Sequence, residues 1–350
     1  MKIQSEPIGS IPRSPELIEA ILSNGAAGDL EKLYEKAVAE TLLAFENTGS
    51  EVITDGEQAK SSFVTYPLNG LTNIGEGGMR IDFEDGHFRQ LPVLTKGPFR
   101  FARFAEQYVG YAIKRTNCLV KQAVISASAL SLIYPAGGLE GYSQDEFISD
   151  LINECEKDIR LCLQQGAHKV QIDFTEGRLS LKLDPSGGVL RHFIDLNNLV
   201  FARFTKDEQQ KLGVHVCPGG DHDSTHSADV DYNSFLPSLF DLNVGNFYLQ
   251  LASEHDKTKV LKTIGQYLKV DQRAFIGVID VNSPRIESAE EVSDLILEAV
   301  KYIPVNQLGT TDDCGFSPFC DDRSTTREIA FAKIKARIDG TKLAEKIIFS

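Results

Sequence analysis

The chain has 350 residues, of which 42% are hydrophobic and 25% charged, with a formal net charge of −14. That length and apolar content suit either two ordinary domains or one α/β barrel with a well-filled core. The acidic balance offers no basic face for nucleic-acid phosphates, and no segment approaches the roughly 18 apolar residues of a membrane span. Met1 to Ile11 lacks a basic stretch followed by an apolar one, so no secretory signal is expected. The six cysteines, Cys118, Cys155, Cys162, Cys217, Cys314 and Cys320, show no framework spacing. A reduced, cytoplasmic protein follows, in which cysteine points to metal or catalysis more than to disulfides.

In chain order, short β-rich runs alternate with long amphipathic stretches. The runs are 3–8, 51–56, 122–128, 169–174, 211–217, 246–251, 274–280 and 303–309. Helical patterns lie between most of them, such as 145–166 and 288–303. The second opens on Ser288 as a predicted N-cap with acids in its first turn. Eight strand–helix units are the sequence form of a (β/α)8 barrel, an α/β fold. An open doubly wound sheet is the alternative, but no glycine-rich dinucleotide fingerprint follows the first run. The segment 63–99 breaks the rhythm and predicts a β-hairpin turning at Asp85-Gly86, a cap beside the barrel mouth. Residues 1–350 read as one barrel domain carrying that insertion.

Reacting groups of such a barrel gather at the C-terminal strand ends. Those ends carry Ser10, Asp55, Glu57, Ser126, Asp173, Glu176, His215, Cys217, Gln250, Asp280 and Asp312 to Cys314. Wet loops account for many of the acids, but not readily for a histidine and two cysteines. In His215-Val216-Cys217 the first and third side chains share one strand face, and imidazole and thiolate are both good zinc ligands. Cys314 follows the eighth run and would approach them across the mouth. Three protein ligands with an open fourth position is the catalytic zinc arrangement. His222 and His226, four apart and able to share a helix face, form a rival cluster on a mouth loop. Cys118, Cys155 and Cys162 fall in predicted helices.

With these residues in view, the chain resembles the catalytic C-terminal domain of the cobalamin-independent methionine synthase family, a zinc barrel that methylates homocysteine from methyltetrahydrofolate. Ile8-Gly9-Ser10-Ile11-Pro12 is similar to its opening motif, which implies amino-acid carboxylate binding at Ile8 and Ser10. Asp55-Gly56-Glu57 is similar to the segment that grips the homocysteine amino group, implying Glu57. His215-x-Cys217 and Asp313-Cys314-Gly315 match its zinc motifs, which implies Zn2+ held by His215, Cys217 and Cys314. Asp280-Val281-Asn282-Ser283-Pro284 resembles its seventh-strand motif.

The resemblance has departures. Gln250 stands where the family has a glutamate ligand, with Glu254 four residues on. Asn282 replaces the histidine that serves as proton donor, leaving Asp280 or Asp173 to supply a proton. The chain has no tryptophan, and Tyr134 falls near the position of the family's folate-facing one. Ser126 and Glu176 join the expected substrate-binding set. The implied activity is thiol methylation, with homocysteine or a similar thiol as acceptor and methyltetrahydrofolate or another alkyl donor. Neither nucleic acid nor membrane is an expected partner, and a homo-oligomer stays open. Competing readings are an epoxyalkane:coenzyme M transferase-like alkylation of another electrophile, a zinc hydrolase using His222 and His226, and a metal- or thiol-binding protein without turnover.

Overall fold

The computed structural model describes residues 2–23 and 27–350. Eight short parallel strands carry the architecture: β1 (Gln4–Ser5), β2 (Val52–Ile53), β3 (Leu119–Ile125), β4 (Lys169–Asp173), β5 (Leu212–Val216), β6 (Asn246–Leu249), β7 (Arg273–Gly277) and β8 (Leu308–Thr311). Each pairs in parallel with its sequence neighbours from β2 round to β8, and β8 pairs with β1. The ladder is therefore a (β/α)8 barrel, open only between β1 and β2. Loops close that seam. Ile11 N–H donates to Gly56 O at 3.0 Å, Thr54 Oγ1 to Gly9 O at 2.8 Å and Gln58 Nε2 to Ile11 O at 2.7 Å. Among the described residues no helix is long and apolar enough to cross a membrane.

The sequence accounts for the alternation. Central strands such as Lys169–Asp173 and Leu212–Val216 are buried along their whole length, as a sheet covered by helices on one face and barrel side chains on the other requires. The helices start where their caps dictate. Ser143 and Ser288 each accept from the third helical N–H while that residue's glutamate reaches back, starting Gln144–Gln165 and Ala289–Ala299. Two expectations shift. The eighth strand is Leu308–Thr311, because Pro304 and the 3-10 turn Val305–Gln307 occupy the first half of the predicted run. Cys118 lies in the bend before β3 rather than in a helix, whereas Cys155 and Cys162 are helical.

The lower barrel interior is polar, unlike the branched aliphatic filling usual for this fold. Glu6 accepts from Lys169 Nζ at 2.7 Å and from Tyr248 Oη at 2.6 Å. Lys121 Nζ donates to Gln171 Oε1 at 2.7 Å and lies 3.7 Å from the Tyr248 ring centroid. Burial pushes the Lys121 pKa down to about 7, since a desolvated ammonium disfavours its charge. Above this layer, Arg337 of the final helix (Arg327–Ile348) donates to Asp312 Oδ1 at 2.7 Å and to Glu6 O at 2.9 Å. The pair ties the last helix to the end of β8, next to the residues of interest. Removing one partner of a buried pair leaves the other charge uncompensated. Arg337→Ala should therefore lower unfolding free energy by about 3–5 kcal/mol in urea titrations; a loss under about 1 kcal/mol, the range of exposed pairs, would contradict the assignment.

Candidate metal centre and cleft

His215 and Cys217 leave the C-terminal end of β5 on one face, and Cys314 arrives from the loop after β8. Their ligand atoms all lie within 4.8 Å of one another, and all three residues are buried. The Cys217 and Cys314 sulfurs are 2.8 Å apart, outside the length of a disulfide bond, about 2.05 Å. Gly219 N–H donates to Cys217 Sγ at 3.4 Å. Neither nitrogen of the buried His215 ring has a hydrogen-bond partner. The adjacent Cys217 sulfur, reinforced by burial, pushes the Cys314 thiol well above its usual range. Two thiolates at this separation repel, and an unpartnered buried imidazole is costly. A divalent soft-to-borderline cation relieves both, so the donor set fits zinc.

Neighbouring groups hold these ligands in place. Asp313 accepts from the N–H groups of Leu251, Ala252 and Ser253 and from Ser253 Oγ, at 2.6–2.9 Å. It fastens the end of β6 to the residue preceding Cys314. A Cβ at Gly277 would lie 1.9 Å from Asp313 Oδ1, so the clamp needs glycine there. Arg13, in the opening motif, donates to the carbonyls of Gln58, Ser317, Phe319, Glu57 and Lys60 at 2.6–3.4 Å. It locks the loops after β1, β2 and β8 together. Neither residue announces this in sequence, because an Arg or Asp that ties loops together looks like any loop charge.

A cleft opens over the cluster, with Ile8, Ser10, Glu57, Asp173, His215 and Cys314 on its floor and walls. Glu57 sits in the left-handed backbone region at φ +54°, rare for a side-chain-bearing residue. Asp55 Oδ1 accepts its N–H at 3.0 Å, and Lys60 Nζ lies 3.3 Å from its Oε2. Burial, reinforced by nearby Glu57, pushes Asp173 up to about 6, against the pull of His215 and a Gln171 hydrogen bond. Ile8 N–H already donates to Asp312 Oδ2 at 3.1 Å. The expected carboxylate contact from that amide is therefore occupied. Ser10 N–H has no partner among the described residues, and its Oγ accepts from Ser317 N–H at 3.2 Å.

Other expected site residues lie apart. Asn282 belongs to the mouth, since a Cβ at Gly220 would lie 3.7 Å from its Oδ1 and 3.8 Å from Cys314 Sγ. Asp280 faces a separate outer groove with Lys257 and Glu287. Ser126 Oγ donates to Glu176 Oε1 at 2.5 Å, and Ser128 donates to the same oxygen, so these residues bind each other. Tyr134 donates to Tyr142 O at 2.7 Å and stacks on Phe147 at 5.1 Å, which commits it to packing behind β3. Gln250 Nε2 donates to Glu254 Oε1 at 3.0 Å, and Glu254 is paired with Arg178 at 2.7 Å.

His222 and His226 are not on a helix. They occupy a tight hairpin, Gly220–Asp221 against Ser224–Thr225, with His222 and Asp223 at positive φ. His222 faces Arg89 at 3.2 Å. His226 lines the cleft, 5.5 Å from the Phe83 ring centroid, and burial depresses it to about 4. The predicted insertion forms a two-step hairpin, Ile74–Gly75 with Val93–Leu94 and Arg80–Asp82 with Phe88–Gln90. It roofs the cleft with Ile81 and Phe83. Arg89 latches it, bridging Asp221 at 2.5 and 3.2 Å and Asp321 at 2.9 Å.

Residues 214–339 match the family model described as cobalamin-independent synthase, catalytic domain. Over 351 residues the chain is 24% identical to the methionine synthase of Saccharolobus solfataricus, covering 97% of this chain and 94% of that protein. It is also 24% identical over 345 residues to the methionine synthase of Sulfurisphaera tokodaii, covering 97% and 91%. The chain is thus similar over nearly its whole length to methionine synthases, and its C-terminal third to the cobalamin-independent catalytic domain. A B12-independent methionine synthase from Shewanella sp. W3-18-1 superposes with a TM-score of 0.78 at 17% identity, covering 100% of this chain and 99% of that one. A putative vitamin-B12-independent methionine synthase from Listeria monocytogenes gives 0.72 at 20% identity, covering 99% and 98%. At these identities the two structures speak for the barrel fold alone.

The Glu176 environment generates a pH prediction. Burial outweighs its two serine donors and pushes its pKa from 4.5 up to about 7. Between those values the folded carboxyl keeps a proton that the unfolded one has lost, so folding stability falls as pH rises through this window. Glu176→Gln should therefore gain stability relative to wild type from pH 4.5 upward, levelling above 7, by on the order of 3 kcal/mol. A pH-independent difference in denaturant midpoints would exclude a protonated Glu176.

Proposed function

We propose that this protein is a zinc-dependent thiol S-methyltransferase of the methionine synthase type. The observation that carries it is the buried His215, Cys217 and Cys314 set with its unpartnered imidazole and abutting sulfurs. The methionine synthase relatives and the family match support methyl transfer. Zinc bound there would lower the pKa of an acceptor thiol and present it as thiolate.

The chain's own residues do the rest. Glu57 is placed to accept from the amino group of homocysteine or a similar thiol, with Ser10 N–H available to its carboxylate. Asp173, raised to about 6, can hold a proton beside the thiol. Asp280 is turned away from the cleft, which leaves Asp173 as the better proton carrier of the two. The apolar roof of Ile81, Phe83 and Phe319 would shield the thiol and the alkyl donor from bulk solvent. Methyltetrahydrofolate is the donor the family implies. One observation favours a second reading, an uncharged electrophile of another kind: Arg89, the one cation on the cleft wall, is fully engaged by Asp221 and Asp321. We read residues 1–350 as one catalytic unit working in a reducing compartment such as the cytoplasm.

Purified protein should carry about one zinc per chain, as an open three-ligand site does. Cys217→Ser and Cys314→Ser should each lose it by elemental analysis, while Cys155→Ser keeps it. Full zinc retention in both site variants would refute the proposed centre.

A folate nitrogen leaves poorly without a proton, and the asparagine amide at 282 supplies none. Asn282→His should raise methionine formation from methyltetrahydrofolate by ~10²-fold at matched zinc content, the usual contribution of a positioned acid. Brisk wild-type turnover that the histidine reduces would show that another group already protonates the donor. Absence of activity in both proteins, with thiol binding intact, would favour the other electrophile.

A further inference from the structure

A second cavity, of about 320 Å³, lies outside the barrel, behind the end of β2, between the helices Ala27–Asn47 and Glu106–Ile113. Its deepest polar group is Asp55, which is 2% exposed. One oxygen of that carboxylate holds the Glu57 N–H, and the other, Oδ2, has no partner. Lys60 and Arg13 act on it electrostatically, but among the described residues no cation stands at ion-pair distance from it. Lys60 Nζ is held by Ala123 O at 2.8 Å and faces Glu57, and Arg13 is engaged by five backbone carbonyls. A buried carboxylate oxygen without a donor is costly.

The walls carry a consistent chemistry. Tyr34, Tyr108 and Tyr111 line the cavity beside Leu30 and Val38, and the Tyr111 hydroxyl is also unpartnered. Glu31 and Glu35, one helical turn apart, stand on the rim, and Arg103 is the single opposing charge on the lining. The lining is therefore acidic overall, aromatic and apolar at its sides, and short of one hydrogen-bond donor at its floor.

We propose that this cavity binds a small protonated amine with an apolar body. Its N–H groups would donate to Asp55 Oδ2, and its hydrocarbon would lie against the tyrosine rings, where a cation also gains from the aromatic faces. The missing element is a donor and not only a positive charge, so a primary or secondary ammonium fits and a quaternary one does not. The site is distinct from the metal centre but touches it through one residue. Asp55 holds Glu57 in its left-handed turn, and Glu57 lines the cleft, so an occupant that pulls on Asp55 is felt where the thiol compound would bind. The inference does not depend on the metal or on the methyl-transfer reading.

The test is calorimetric titration of the full chain at pH 7.5 with n-butylamine, tetramethylammonium and butyrate. Tyrosine emission provides a second readout, because the chain has no tryptophan and three of its ten tyrosines line the cavity. Butylamine should saturate and perturb the emission, with the other two weaker by about tenfold or more, as expected for loss of a charged hydrogen bond. Asp55→Asn should weaken butylamine by a similar factor, and Glu31→Gln/Glu35→Gln, remote from the cleft, by a smaller one. Absence of saturation, or equal binding of tetramethylammonium, would overturn the proposal. So would a loss in Asp55→Asn with no change in the rim variant, which would put the amine at Glu57 in the cleft. If circular dichroism shows that Asp55→Asn does not fold, Tyr34→Ala takes its place: weakened butylamine binding supports the site, and unchanged binding overturns it.

Discussion

Two sulfur atoms held 2.8 Å apart beside an imidazole with no partner set the terms for the barrel mouth. Two thiolates so close repel and the ring is desolvated, so the arrangement favours a cation among the three groups. It persists because the surrounding backbone overdetermines it. Cys217 directly follows the fully buried strand β5. Cys314 is fixed by the Asp313 clamp on the β6 loop, itself possible only because Gly277 has no side chain. The placement of His215, Cys217 and Cys314 is thus a property of three strand ends acting together, so mutations at Gly277 or Asp313 would act on the candidate metal centre without touching it.

The roof depends on the same logic at longer range. The hairpin over the cleft has only short strand pairings of its own, too few for a hairpin to be stable alone in water. Its closed position comes from Arg89, whose planar fork reads two carboxylates at once, one on the 220–225 hairpin and one after β8. That engagement has a chemical consequence. The guanidinium at the cleft wall is neutralised by its partners, and the remaining charged groups of the floor, Glu57 and Asp173, are acids. The cleft therefore suits a cation, an ammonium group or a neutral apolar donor better than an anion.

Much of this was legible in the sequence. Eight alternating units gave the barrel, HxC gave two side chains on one strand face, and Cys314 after the eighth run gave the third. Asp85-Gly86 gave the roof hairpin. What was not legible follows from one cause: a polar residue at a strand end looks the same whether it points at a ligand or at its neighbours. Ser126 and Glu176 bond to each other, Tyr134 packs, Gln250 meets Glu254, and the Ile8 amide is taken by Asp312. The glycines before His222 and His226 put them on a mouth loop despite their helical spacing, and the positive-φ residues at 222 and 223 make that loop a hairpin turn. The eighth strand was placed early because Ile303 to Val305 is apolar, whereas the strand itself is Leu-Gly-Thr-Thr, where β-branching and not hydrophobicity carries the propensity.

The distribution of buried charge separates scaffold from chemistry. Below the mouth, Glu6, Lys169, Asp312 and Arg337 are matched in opposite-charge pairs, and Lys121 is driven toward neutrality, so that layer approaches balance. At the mouth the balance tips to the negative side: Asp55, Glu57 and Asp173 face Lys60, with Arg13 acting on the first two, and the two thiols add potential charge of the same sign. Asp173 and Asp55 respond by shifting upward. Such an imbalance is unfavourable for a bare protein and becomes favourable once a metal cation and an amino group arrive together. On the proposed reading, this excess of acid would draw both a metal and the ammonium end of an amino-acid thiol to the mouth, and each would lower the cost of binding the other.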